Sequence, residues 1–278
     1  MNTMNHTDKG VAPKDLNRAA RPLAIVTGAS SGIGFELAKR CAAEGFDLLV
    51  AADDPRIEEA ARALGQAGGS VEAVQVDLAT PEGVDRLLAA VKDRPIDALL
   101  ANAGHGLGRA FLDQDWDEIR HVIDTNVTGT VYLLHRVGRE MAGRGHGRIL
   151  ITGSIAGFMP GTYQAVYNAT KAFIDMFSYA LRAEVHGRGV TVTCLMPGPT
   201  ETEFFERADL MDTKVGQAKK DDPAEVAENG FKAMMAGDSG VVSGWQNKLQ
   251  VALAKILPET VMAGQHAKQA APGTGDKA

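Results

Sequence analysis

The chain has 278 residues, 45% of them apolar, and a formal net charge of −6 with acids and bases mixed along its length. That supplies the core of one large α/β domain, and the lack of any basic block argues against nucleic acid as a partner. The two cysteines, Cys41 and Cys194, stand alone, fit no metal or redox spacing, and imply a reduced, cytoplasmic setting with no metal site.

Residues 1–20 carry no apolar signal-peptide run and read as a flexible leader. PLAIVTGA (22–29) then reads as a buried strand. GIGFELAKRCAAEG (32–45) reads as a helix, with Ile33, Leu37, Ala38, Cys41 and Ala42 on one face and Gly45 as its stop. FDLLVAA (46–52) is a second strand, and DPRIEEAARALGQAG (54–68) a helix capped by Asp54 with Pro55 in its first turn. SVEAVQVDL (70–78) is a third strand, TPEGVDRLLAAVKD (80–93) another cap-then-Pro helix, and IDALLANAG (96–104) a fourth strand with its loop. One long helical region runs from about Trp116 to Arg144. GRILITGSIAG (147–157) is a fifth strand and loop, a helix spans Ala165 to Ala183, and VTVTCLMPGPT (190–200) is a sixth strand. DPAEVAENGFKAMMAG (222–237) is a further helix and SGVVSG (239–244) a short last strand. WQNKLQVALAKILP (245–258) is amphipathic, with Trp245, Leu249, Ala252, Leu253 and Ile256 on one side. It reads as a helix packed on the domain or on a sister subunit rather than on a membrane surface. Residues 259–278 are small and polar and read as a disordered tail.

Strand and helix alternate throughout. This predicts a single doubly wound domain over 21–258, a parallel sheet with helices on both faces. In such sheets ligands bind beyond the carboxyl ends of the strands. TGASSGIG (27–34) lies there, where a helix N-terminus with free N–H groups suits a pyrophosphate. Asp53, ending the second strand, can accept hydrogen bonds from an adenosine ribose and repel a 2′-phosphate, which favours NAD(H) over NADP(H) without excluding the latter. Tyr167 and Lys171 stand one turn apart on one helix face, shortly after Ser154. Each alone is commonplace: a Tyr–Lys pair on a helix surface, a loop serine, a polar helix asparagine.

Together and in order, TGASSGIG, NAG (102–104), Asn126, Ser154, YNATK (167–171) and PG (197–198) resemble the motif set of the classical short-chain dehydrogenase/reductase family, over about residues 20–250. The resemblance implies a Rossmann-type fold and an NAD(P)-dependent oxidoreductase that interconverts a secondary alcohol and a ketone. It implies that Gly28, Gly32 and Gly34, with Ser30, Ser31 and Ile33 between them, form the cofactor loop. Asp53 becomes the discriminating residue. Asp77 and Leu78 meet the adenine, and Asn102, Ala103 and Gly104 shape the end of the fourth strand. Pro197, Gly198, Thr200 and Thr202 lie near the nicotinamide. Asn126, Ser154, Tyr167 and Lys171 match the catalytic tetrad. The unperturbed Tyr pKa near 10 is too high for acid/base work at neutral pH, so Lys171 is expected to lower that of Tyr167 and to hold the nicotinamide ribose. Ser154 would steady the substrate oxygen, and Asn126 would link Lys171 to solvent through water. Tyr163 has no Lys four residues on and is at most part of the pocket wall; His105, just after the NAG turn, reads as a surface histidine, with a cleft-facing position as the alternative.

Segment 201–222, bearing Phe204, Phe205, Leu210 and Met211, sits where a lid over an apolar substrate is expected, such as a 3-oxoacyl thioester, a steroid or another ketone. A non-redox epimerase or dehydratase and a non-catalytic nucleotide sensor are the alternatives. The glycine spacing argues against the first and the intact Ser–Tyr–Lys set against the second. Members of the family commonly form homodimers or homotetramers through the helices that would here span about 116–144 and 165–187.

Overall fold

The computed structural model describes residues 21–275; the expected leader over 1–20 lies outside them. Seven parallel strands form one sheet in the order β3-β2-β1-β4-β5-β6-β7. The first half runs β1 (Leu23–Thr27), α1 (Gly32–Ala43), β2 (Asp47–Ala52), α2 (Ile57–Leu64), β3 (Val71–Gln75), α3 (Pro81–Val91) and β4 (Ile96–Ala101). The second half begins with α4 (Trp116–Ile123), α5 (Thr130–Arg144), β5 (Gly147–Thr152), α6 (Ala165–Glu184) and β6 (Val190–Met196). It closes with α7 (Phe204–Arg207), α8 (Lys214–Gln217), α9 (Pro223–Ala236), β7 (Gly240–Val242), α10 (Trp245–Ala254) and α11 (Glu259–Ala270).

The central strands are apolar at nearly every position because both faces are covered. On one face Leu37, Cys41, Ile57, Phe231 and Met234 of α1, α2 and α9 pack on Val26, Val50 and Leu100. On the other, Leu87, Leu134, Met141 and Ile174 of α3, α5 and α6 pack on Ile25, Leu99 and Ile149. Val26 pairs with Val50 on one side and Leu100 on the other, and the β1–β4 register shifts by one residue between Leu23 and Ala24. The expected cap-then-Pro start is present at α3, where Thr80 Oγ1 accepts from Gly83 N at 3.0 Å. It recurs at α9, where Asp222 accepts from Ala224 N.

Three expectations are corrected. Asp54 does not cap α2, which starts only at Ile57 after Arg56; its Oδ1 accepts from Arg56 N in the preceding turn. The region Trp116–Arg144 is not one α-helix: a π-helical stretch, Asp124–Gly129, divides α4 from α5 and carries Asn126. Such wide turns recur at functional sites. Here Gly129 presses so close to Leu78 O that a Cβ would lie 1.8 Å away. The described part of the tail is also ordered. α11 buries Met262 and Ala270, Thr162 Oγ1 donates to Ala263 O, and His266 Nδ1 lies 2.8 Å from Thr162 O. Composition alone misses this, because the few apolar positions become decisive only when a partner surface exists.

Candidate active site

The turn after β1 is built on glycine. Gly28 has φ +64°, a backbone conformation that disfavours side chains, and a Cβ there would meet Ala103 Cα at 2.9 Å. At Gly34 a Cβ would lie 2.1 Å from Gly28 O, so the helix is seated directly on the turn. The N–H groups of Gly32, Ile33 and Gly34 open α1 without intrahelical partners, which makes an anion cradle. Ser30 and Ser31 flank it, and Thr202 Cγ2 lies against Gly32 from across the cleft.

Adjacent strand ends are laced together. Thr27 Oγ1 accepts from Asn102 N at 2.9 Å and Ala103 N at 3.0 Å, and Asn102 Nδ2 donates to Thr27 O. Thr152 Oγ1 donates to Asn102 Oδ1, and Lys171 Nζ donates to Thr152 O at 2.9 Å. Cofactor loop and catalytic lysine are therefore fixed to one rigid sheet edge. Asp53, Asp77, Leu78, Gly104, Pro197, Gly198 and Thr200 line the same cleft. Asp53 Oδ2 lies 3.3 Å from His105 Nε2, and that hydrogen bond is the main reason its carboxyl sits below the usual range. His105 is thus a cleft residue, its ring against that of His121, rather than a plain surface histidine.

Ser154, Tyr167 and Lys171 meet at the cavity wall, because one face of α6 grips the serine loop. Asn168 Nδ2 donates to Ala156 O and Met159 O, and Asp175 Oδ1 accepts from Ser154 N. Residues 168, 171 and 175 share that face by helical spacing. Tyr167 packs its ring on Phe204, with centroids 5.0 Å apart. Burial pushes its hydroxyl up to about 12, opposed by the hydrogen bond with Ser154. The lowering expected from Lys171 does not set this value: its ammonium is turned to Thr152 O and lies 5.9 Å from the Tyr167 ring centroid. Burial lowers the pKa of Lys171 itself, and Asp175 opposes that shift. Asn126 stands behind the cavity. Its Oδ1 accepts from His105 N, and its Nδ2 donates to His105 O and Thr170 Oγ1. Gly104 separates it from the lysine; a Cβ there would lie 3.1 Å from Asn126 Oδ1 and 3.5 Å from Lys171 Nζ.

The cavity holds about 550 Å³. Beyond the sequence-derived set, its outer wall mixes polar side chains such as Gln246, Gln250, Gln265 and His266 with large apolar ones: Phe204, Phe205, Trp245, Leu249, Leu253 and Met262. The last four come from α10 and α11. The amphipathic face of 245–258 was legible in sequence, but not that it turns toward the cleft; Trp245 stays 72% exposed. Tyr163 is not among the lining residues. Segment 201–222 crosses the cleft through α7 and α8, and its Glu203 and Arg207 pair with Arg56 and Asp54 beyond β2.

Comparison with known proteins bears on the family and the fold. The family model for short chain dehydrogenases matches residues 22–212. An uncharacterized oxidoreductase of Myxococcus xanthus is 34% identical over 84% of this chain and 92% of its own length. Human 17-beta-hydroxysteroid dehydrogenase type 1 is 35% identical over 68% of this chain and 60% of its own length. The structure of a short-chain dehydrogenase from Sphingobium yanoikuyae in complex with NADPH superposes with a TM-score of 0.75. It is 28% identical and covers 85% of this chain and 96% of that one.

Proposed function

Because this chain belongs to the short-chain dehydrogenase family of NAD(P)-dependent oxidoreductases acting on CH–OH groups, we propose that it interconverts a bulky apolar secondary alcohol and its ketone, with NADH preferred. The observation that carries this reading is the meeting of Ser154, Tyr167 and Lys171 at the wall of a cavity that begins at the N-terminus of α1. The cradle fits a dinucleotide: unpaired N–H groups and a close-seated glycine turn for the pyrophosphate, and Asp53 for the ribose. When bound, the nicotinamide supplies or takes up the hydride. The protein does the rest. Tyr167 gives its hydroxyl proton to the carbonyl oxygen in reduction and takes it back in oxidation. The Ser154 hydroxyl stabilises the oxygen as charge develops. Lys171, a buried cation on the same helix face, favours the phenolate form of Tyr167 once its ammonium is freed toward the cleft.

Two features support NADH. The Asp53 carboxylate is 43% exposed in the cleft. The guanidiniums of Arg56 and Arg207 are already engaged by Asp54 and Glu203, so neither is unpaired for a 2′-phosphate. The large apolar side chains of the outer wall support the substrate class. Segment 201–222 is read as a lid, the protein as cytoplasmic, and its active form as a homo-oligomer. Among the described residues no helix is long and apolar enough to cross a membrane.

The test is a fluorescence titration with NADH and with NADPH, using Trp245 in the cavity wall as reporter. NADH should bind at least about tenfold tighter, and Asp53→Ala should narrow the gap. Preference for NADPH would reverse the cofactor assignment, and binding of neither would end the oxidoreductase reading.

A further inference from the structure

Asp175 lies one turn beyond Lys171 and two beyond Tyr167 on α6, and is only 4% exposed. A carboxylate buried this deeply is costly unless it is paired. The fold has nevertheless made room for it. A Cβ on Gly153 would fall 1.8 Å from Asp175 Oδ1, and one on Gly157 would fall 2.4 Å from Oδ2. Two glycines of the serine loop therefore form a socket for this side chain. Oδ1 accepts from Ser154 N at 3.2 Å and lies 3.5 Å from Cys194 Sγ. Oδ2 is buried with no hydrogen-bond partner. Among the described residues no ion pair within contact distance neutralises the group. Its charge is felt by Lys171, Tyr167 and Tyr179 on its own helix and by the Cys194 thiol on β6. The residues it meets on the serine loop, Gly153, Ser154 and Gly157, carry no ionisable side chain.

Resting on the oxidoreductase reading above, we propose that Asp175 is a positioning residue. Its carboxylate holds the Ser154 main chain in place and, through its charge, sets the proton balance between Lys171 and Tyr167. Burial pushes its own carboxyl up to about 6, so it is charged at neutral pH and becomes neutral under mild acid. Removing one negative charge makes every neighbouring acid stronger. Lys171 and Tyr167 should then both release protons at lower pH.

The experiment compares wild type with Asp175→Asn, which keeps shape and an acceptor for Ser154 N while removing the charge. The pH profile of kcat/KM for alcohol oxidation should slide as a whole to lower pH by about one unit. Asp175→Ser provides a second neutral side chain should the first variant fail to fold. Phenolate absorbance of Tyr167, taken as the difference from the matching Tyr167→Phe protein with NAD⁺ present, should shift in the same direction. That readout needs no substrate, so it stays informative if no ketone or alcohol is turned over. An unshifted profile and an unshifted phenolate titration would reduce Asp175 to a packing residue and overturn the proposal.

Discussion

At the scale of single residues, burial changes how tightly the candidate catalytic groups hold their protons. Tyr167 is the clearest case, since burial takes its hydroxyl up to about 12. Tyr167→Phe should lower kcat by about 10²–10⁴-fold, while fluorescence titration still finds NADH bound. Loss of cofactor binding together with activity would instead give the hydroxyl a structural role. Asp175 makes a stability prediction with a definite sign. Its folded pKa, about 6, lies above the ordinary 3.8. Its contribution is therefore fully present below 3.8 and is lost as pH rises through 6. Thermal melts should show wild type losing stability across that window, with a smaller loss in Asp175→Asn. Much of this site was legible in the chain: the glycine turn, Ser154, Tyr167 and Lys171 are all brought together. Asp175 was not, because nothing in its local sequence distinguishes a buried carboxylate from an ordinary polar position on a helix. Only the socket of Gly153 and Gly157 reveals it.

At the scale of elements, α6 is the part that assembles the site. Along one face it presents Tyr167 to the cavity, grips the serine loop through Asn168 and Asp175, and sends Lys171 to the end of β5. The opposing element is the 201–222 segment. Its own small core is Phe205, Ala208 and Leu210, and Arg109 pairs with Asp209 and Asp212 at its base. It is tied across the cleft by the cluster of Asp54, Arg56, Glu203 and Arg207, whose side chains are between 15% and 46% exposed. Pairs this exposed contribute about 0–1 kcal/mol each, so they tie the segment across the cleft without locking it. Trypsin should cut within 207–220 in the free protein and more slowly when NADH is bound; equal rates would count against a lid. The sequence pattern located this segment but not its ties, since residues 54 and 207 meet only after the chain has folded.

At the scale of the whole molecule, apolar surface is left over. Phe173 and Met176 on α6 are 46% and 73% exposed, and Trp116 on α4 is 64% exposed. Exposed apolar residues on two helices in contact are expected to be covered by a second copy. Light scattering should report an oligomer for wild type and a smaller species for Met176→Glu, with cofactor binding per chain retained. A monomeric wild type would refute the assignment. A second whole-molecule feature is the way the chain end returns. After α11, Gly273 N donates to Asp212 Oδ2 and Gly275 N to Asp212 O, so the C-terminal region braces the segment that crosses the cleft.

What the sequence by itself determined is the alternation that makes a doubly wound parallel sheet, the family, and the positions proposed to carry its chemistry. These rest on local rules: periodicity, caps, glycines at a helix N-terminus, and a Tyr and Lys four apart. The tertiary structure alone decided three further things. It broke the region 116–144 with a π-helical stretch at Asn126, folded the small and polar residues after Pro258 into a cavity wall, and turned Lys171 toward Thr152 with Asp175 buried beneath it. In each case the deciding term is a contact between residues far apart in the chain. The burial or charge felt by a side chain depends on what packs against it, and no short window of sequence contains that partner.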